Sequence, residues 1–325
     1  MVTQRAVGLW PKSDLRKRCH AASRCELGSR TLHSMDEKSG KSSQKAEKTS
    51  CKCHKSARRR ATVRQHTGYT ASFFTTGRMT ALPDEISARI DLAAAFRWAA
   101  RWDMHESIAN HFSVAVSDKG AQFLLNPAGS HFSRIRASDL LRVDARQPAG
   151  AQAANAPDPT AWNLHAELHQ RLPQARCILH THMPYATTLC CLQDFEWLAL
   201  DQNACRFHGR IAYDRDYAGM ALDASEGQRV AGLLGAGKSV LFMGNHGVIV
   251  VGPTVAQALD ELYYLEKAAK LQVLALSTGR PLALIPEPLA ALACAQWNDY
   301  PTAFSALHFA ALKDILDHEE PEYKT

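Results

Sequence analysis

Arg176-Cys177-Ile178-Leu179-His180-Thr181-His182, followed by Met183-Pro184-Tyr185-Ala186-Thr187, is the stretch that decides the fold. The apolar run 177–179 reads as a buried strand, and residues two apart on a strand share a face. His180 and His182 therefore converge where the strand ends, and a short helix is expected over 184–192. Just upstream, Asp158-Pro159-Thr160 supplies a helix start and Pro173 a stop, which places a helix over 160–172. Downstream, two apolar segments, 239–243 and 248–251, flank the tight turn Gly244-Asn245-His246-Gly247.

A bulky polar ring in so tight a turn points to a task. Three neutral imidazoles with an open fourth position suit a catalytic divalent metal that polarises a carbonyl as a Lewis acid. We expect His180, His182 and His246 to hold such an ion, zinc first, with iron, manganese or cobalt also compatible with the donor set.

Outward from this centre, a helical apolar period runs over 83–104 through Ile86, Ile90, Leu92, Ala93, Phe96, Ala99 and Ala100. Strand-like segments at 112–116 and 122–125 are separated by Ser117-Asp118-Lys119-Gly120, a hairpin signal. A short helix is expected over 137–141, a loop over 147–159, a long amphipathic helix over 253–276 and a last one over 304–316. Several strand connections are too short for parallel crossovers. The expected fold is α/β, with a mixed, largely antiparallel sheet between helical layers rather than a dinucleotide-binding sheet.

Length and composition narrow the class. The chain has 325 residues, 46% hydrophobic and 22% charged, typical of a globular protein. No stretch approaches the ~18 uninterrupted apolar residues of a membrane-spanning helix. The net charge of +6 is an average over unlike parts: residues 1–78 hold 18 Lys and Arg against 5 Asp and Glu, leaving the rest of the chain net negative. Residues 1–78 are expected to be a basic disordered extension, with Met79 an alternative start, and residues 79–325 the folded domain. The extension includes Cys51-Lys52-Cys53-His54, whose spacing matches no regular zinc pattern, and a basic run at 55–60 best read as a solvated tail. Nucleic acid is therefore not the expected partner. An odd number of body cysteines, two of them adjacent, fits a reducing, cytoplasmic setting.

Gly232-Leu233-Leu234-Gly235-Ala236-Gly237-Lys238-Ser239 matches the phosphate-loop pattern letter for letter. That loop needs a strand before it and a helix after, and here the expected order is helix then strand, so nucleotide hydrolysis is not the expected activity. Trp98, Trp102 and Phe96 read as core or subunit contact, and Glu261 and Glu266 as a solvated face among lysines.

Taken together these motifs resemble the class II aldolase/adducin family. Residues 180–187 resemble its "H-x-H-x-x-x-A" segment, and Gly244-Asn245-His246-Gly247-Val248-Ile249 its "hHG" turn. Asn110-His111-Phe112-Ser113-Val114 resembles its "GN-S-R" strand, and Asn126-Pro127-Ala128-Gly129 its "TPSG" loop. The resemblance spans about residues 86–276. It implies a three-layer α/β/α domain, the three-histidine metal centre, and a homotetramer with active sites between subunits.

The departures bear on function. Counting back from the histidines puts Ala161 where catalytic members carry a glutamate, and alanine cannot move a proton. Pro159 and Thr160 fall on the aldolases' phosphate-binding serines, so a phosphorylated aldol substrate is disfavoured. Gly129, Thr160 and Asn110 remain as expected substrate contacts, and Tyr213, His111 and His165 as proton-handling candidates. The resemblance implies a lyase-type enzyme (aldolase, epimerase, dehydratase or decarboxylase) acting on a small hydroxy-carbonyl or oxo-acid through a metal-stabilised enediolate. The alternative is a non-catalytic, adducin-like assembly module, which the loss at Ala161 favours and the retention of three convergent histidines opposes.

Overall fold

The computed structural model describes residues 84–147, 156–300 and 303–325. The basic extension, its cysteine-histidine group and Met79 lie outside the described residues. α1 (Glu85–Arg101) opens on Asp84, whose carboxylate accepts from the Ser87 N–H at 2.9 Å. β1 (His111–Ala115), β2 (Gln122–Leu125) and β3 (Leu141–Asp144) follow as an antiparallel meander. The helix expected at 137–141 is only a 3-10 turn, Ala137–Asp139, before β3 begins. α2 (Pro159–Arg171) has Asp158 as its cap, accepting from the N–H groups of Thr160 and Ala161, with proline at its first position, where no N–H is missed.

β4 (Cys177–Thr181) runs into α3 (Pro184–Cys190). Then come α4 (Gln202–Cys205), β5 (Ile211–Asp214), α5 (Ala224–Leu234), β6 (Val240–Met243) and β7 (Gly247–Gly252). The chain closes with α6 (Val255–Ser277), α7 (Glu287–Asn298) and α8 (Phe304–Glu319). α4 and α7 carried no clear period in the sequence and were not anticipated.

The seven strands lie in the order β3-β2-β1-β4-β7-β6-β5, and only β5 and β6 are parallel. Both faces are covered, which makes the sheet the middle of three layers. On one side Leu164, Leu168, Val230 and Leu234 of α2 and α5 pack on Ile178, Leu241, Ile249 and Val251. On the other, Leu92, Phe96, Leu259 and Leu262 of α1 and α6 pack on Phe112, Leu179, Val248 and Val250. Phe96 sits 4.7 Å from the Phe112 ring and 4.6 Å from Phe132, so the core reading of the first helix holds.

Two sequence readings resolve in opposite ways. The phosphate-loop lookalike is a helix end: α5 stops at Gly235 (φ 57°), and Lys238 donates to the Gly209 carbonyl at 2.7 Å before β6 begins. Glu261 and Glu266, by contrast, are not a solvated face. Glu261 pairs with Arg210. Glu266 is 6% exposed and accepts from the N–H groups of Tyr185 (2.8 Å) and Ala186 (2.9 Å), closing the start of α3. The lysine-rich surroundings hid an inward-facing position.

A candidate metal centre beside a buried histidine row

β4 delivers its two histidines as the period-two rule requires. His180 is the partner of His111 across β1 and of Ile249 across β7, so it points to the α2 side of the sheet. His182 follows the strand, and His246 arrives from the turn between β6 and β7. One nitrogen from each of the three lies within 4.8 Å of the others. The turn can come this close only because residue 247 is glycine. A Cβ there would stand 2.5 Å from the Thr181 carbonyl oxygen and 2.6 Å from the His182 ring. Asn245, at φ 54°, takes the left-handed bend.

Partners on the outer nitrogens fix how the rings are protonated. His180 Nδ1 donates to the Val248 carbonyl at 3.1 Å, and His182 Nδ1 to Glu106 Oε2 at 2.8 Å. The inner Nε2 atoms of His180 and His182 face each other at 3.2 Å, within hydrogen-bond reach. That separation is held either by a proton shared between the two nitrogens or by a cation bound to both lone pairs. Tetrahedral ligands about 2.0–2.1 Å from zinc stand about 3.3–3.4 Å apart, close to this separation. The donor set therefore fits a divalent metal, with Val248 and Glu106 as the outer supports that orient ligating imidazoles. Burial holds the His180 ring well below the usual histidine range and takes His246 down to about 4, so both are neutral and able to ligate near pH 7.

Behind this trio lies a row of polar side chains between β1 and α2. His111 stacks on His180 with ring centroids 4.8 Å apart. His111 Nδ1 lies 2.7 Å from His165 Nε2. His165 Nδ1 contacts the Ser113 hydroxyl, which is 2.7 Å from His169 Nε2. His169 Nδ1 ends the row on the Ala175 carbonyl at 2.8 Å. His111 and Ser113 are two apart on β1, and His165 and His169 four apart on α2, so each pair presents one face. Burial holds His165 well below its usual range and takes His111 and His169 to about 3.

The other expected residues are distributed less tightly. Asn110 is buried, its Oδ1 accepting from Glu106 N–H at 2.7 Å, while its Nδ2 has no partner among the described residues. Gly129 is exposed at φ 78°. The Thr160 hydroxyl donates to its own helix cap, Asp158. Ala161 faces Phe123, Leu125 and Ala145 in a small apolar cluster. Tyr213 packs beside Phe195 and Phe242, its Oη accepting from Trp197 N–H at 3.0 Å, and burial pushes its phenol up. It lines a cavity of about 340 Å³ with Asp214, Arg215 and Asn245, next in sequence to His246. Glu106 was missed by sequence reasoning because a lone loop carboxylate carries no period. Ser113 could have been singled out as the residue sharing a strand face with His111.

Residues 90–273 match the Class II Aldolase and Adducin N-terminal domain. A putative aldolase class 2 protein of Caulobacter vibrioides is 32% identical over 201 residues, 62% of this chain and 77% of that protein. The decarboxylase NovR of Streptomyces niveus is 30% identical over 228 residues, covering 68% of this chain and 82% of NovR. Among solved structures, an aldolase II superfamily protein from Pseudomonas syringae superposes with a TM-score of 0.66 at 32% identity, over 75% of this chain and 97% of that one. With its sheet order, its convergent histidines and these matches, the chain belongs to the class II aldolase/adducin family.

Proposed function

We propose that this protein is a metal-dependent lyase-type enzyme acting on a small, unphosphorylated hydroxy-carbonyl or oxo-acid substrate. The observation that carries the reading is the convergence of three imidazoles within 4.8 Å, the Nε2 atoms of His180 and His182 facing each other at 3.2 Å. A scaffold gains nothing from aiming three imidazole nitrogens at one point. A bound divalent ion, zinc foremost, supplies a Lewis acid that favours enediolate formation from such a substrate. Its ligands are His180, His182 and His246. His111, stacked on His180, is the group best placed to handle a substrate proton, with His165 directly behind it. Asn110 Nδ2 is an uncommitted donor for a substrate oxygen.

The position usually held by glutamate is closed, since Ala161 is 1% exposed and packed on Phe123 and Leu125. Proton transfer therefore falls to the histidine row, a different solution on the same fold. Thr160, committed to Asp158, and exposed Gly129 offer little grip on a phosphate, which supports an unphosphorylated substrate. The resemblance to NovR favours decarboxylation among the lyase chemistries. Exposed leucines on α6, α7 and α8 support a homo-oligomer, a tetramer by family resemblance.

The test is solvent exchange, the step common to these reactions. Hydroxypyruvate incubated in D2O with the zinc-loaded full chain should lose its C3 proton signal by NMR, and a chelator or His182→Ala should stop this. A metal-loaded protein that exchanges neither hydroxypyruvate nor hydroxyacetone contradicts the reading.

A further inference from the structure

The row between β1 and α2 has only one consistent hydrogen assignment when its five hydrogen-bonding groups are taken in order. A backbone carbonyl can only accept, so His169 Nδ1 carries the proton directed at Ala175. A neutral imidazole then offers a lone pair at Nε2, which takes the single hydrogen of the Ser113 hydroxyl. With that hydrogen committed, Ser113 Oγ accepts from His165, whose proton is therefore on Nδ1. His165 Nε2 is in turn an acceptor, and His111 Nδ1 donates to it at 2.7 Å. His111 is left with a bare Nε2, which has no protein partner among the described residues. Every ring in the row is 6% exposed or less, so water does not compete for these hydrogens.

We propose that the Ala175 carbonyl, acting through His169, Ser113 and His165, locks the tautomer of His111 and keeps its Nε2 lone pair open beside His180 to accept a hydrogen bond from the hydroxyl of a bound hydroxy-carbonyl substrate. His111 is the group that touches substrate, and the other three are positioning residues. The row explains why α2 carries histidines at both 165 and 169 and why residue 113 is a hydroxyl. Gly120 lets α2 lie this close to the sheet, since a Cβ there would stand 2.2 Å from the His169 carbonyl oxygen. The substrate half of this inference rests on the function proposed above, and the tautomer half does not.

The test reads tautomers directly, by long-range proton–nitrogen correlation NMR on the 15N-histidine-labelled, metal-free full chain, with His111→Asn to assign the signals. The expected result is a proton on Nδ1 and none on Nε2 for His111, His165 and His169. Ser113→Ala should leave His165 without its acceptor and divide His111 between both tautomers, and Ser113→Thr should restore the single form. In the zinc-loaded protein, Ser113→Ala should slow hydroxypyruvate exchange at saturation by about tenfold, the scale of a weakened proton transfer, with metal content unchanged. A wild-type His111 protonated on Nε2 overturns the lock even if Ser113→Ala does not fold. A folded Ser113→Ala protein with an unaltered His111 tautomer overturns it equally. An unaltered exchange rate beside a scrambled tautomer overturns the substrate contact. Failure to take up metal with the expected tautomers in place sinks the proposed function and leaves the lock standing.

Discussion

Glu106 and Glu266 show how much a single carboxylate's surroundings decide. Glu106 is solvent-facing apart from its bond to His182 Nδ1, yet that bond orients a proposed ligand. Glu106→Gln should weaken zinc binding by about 10- to 100-fold, measured by competition with a chromogenic chelator, with little change in unfolding midpoint. Glu266 works by capping. Its loss in Glu266→Ala leaves the Tyr185 and Ala186 N–H groups unpaired, which should cost about 2–4 kcal/mol in urea unfolding. Burial pushes Glu266 up to about 7, so the stability tied to its proton is complete below about 4.5 and lost as pH rises through about 7. His169 has the opposite sign. Its folded value of about 3 lies below the ordinary 6.5, so its contribution is complete above pH 6.5 and drains as pH falls toward 3. Each such histidine removes up to about 1.4 kcal/mol per pH unit over that window. Urea midpoints of the metal-free protein should accordingly fall from pH 6.5 to pH 5, and a flat profile there would contradict the buried-neutral row.

At the scale of elements, the turn between β6 and β7 is the tightest constraint on the site. Gly247→Ala would drive a methyl into the Thr181 carbonyl and the His182 ring. It should destabilise the protein by about 1–3 kcal/mol and abolish stoichiometric metal binding, read by calorimetric unfolding and metal analysis of the same sample. These elements were also the legible ones. The apolar run of β4, the Asp158-Pro159 start of α2 and the apolar segments either side of His246 fix strands, cap and turn through short-range sterics alone. What escaped the sequence depends on contacts between distant segments. Glu266 lies 80 residues from the Ala186 N–H it accepts from, Glu106 reaches across 76 residues to His182, and Ser113 lies 56 residues from His169. Ala161 was legible as a missing acid, but not as part of a closed apolar cluster. α7 was unreadable for a different reason: its leucines at 289 and 292 face outward, so its period does not follow the core.

At the scale of the whole molecule, the C-terminal helices carry apolar surface that stands exposed among the described residues. Leu274, Leu284, Leu289, Leu292 and Leu307 are each at least half exposed on the C-terminal helices and their connections. If these leucines serve the tetramer proposed above, light scattering should give four times the 35.8 kDa chain mass. A 35.8 kDa particle across the micromolar range would remove the oligomer from the account. No helix among the described residues is long and apolar enough to cross a membrane. The measurement that reaches the central claim most directly is metal content by plasma mass spectrometry, on the full chain and on its His180→Ala/His182→Ala variant. The account predicts close to one divalent ion per chain, zinc foremost, in the first and none in the second. No metal in either, even after incubation with zinc, iron or manganese, would contradict it and leave a family fold without the chemistry.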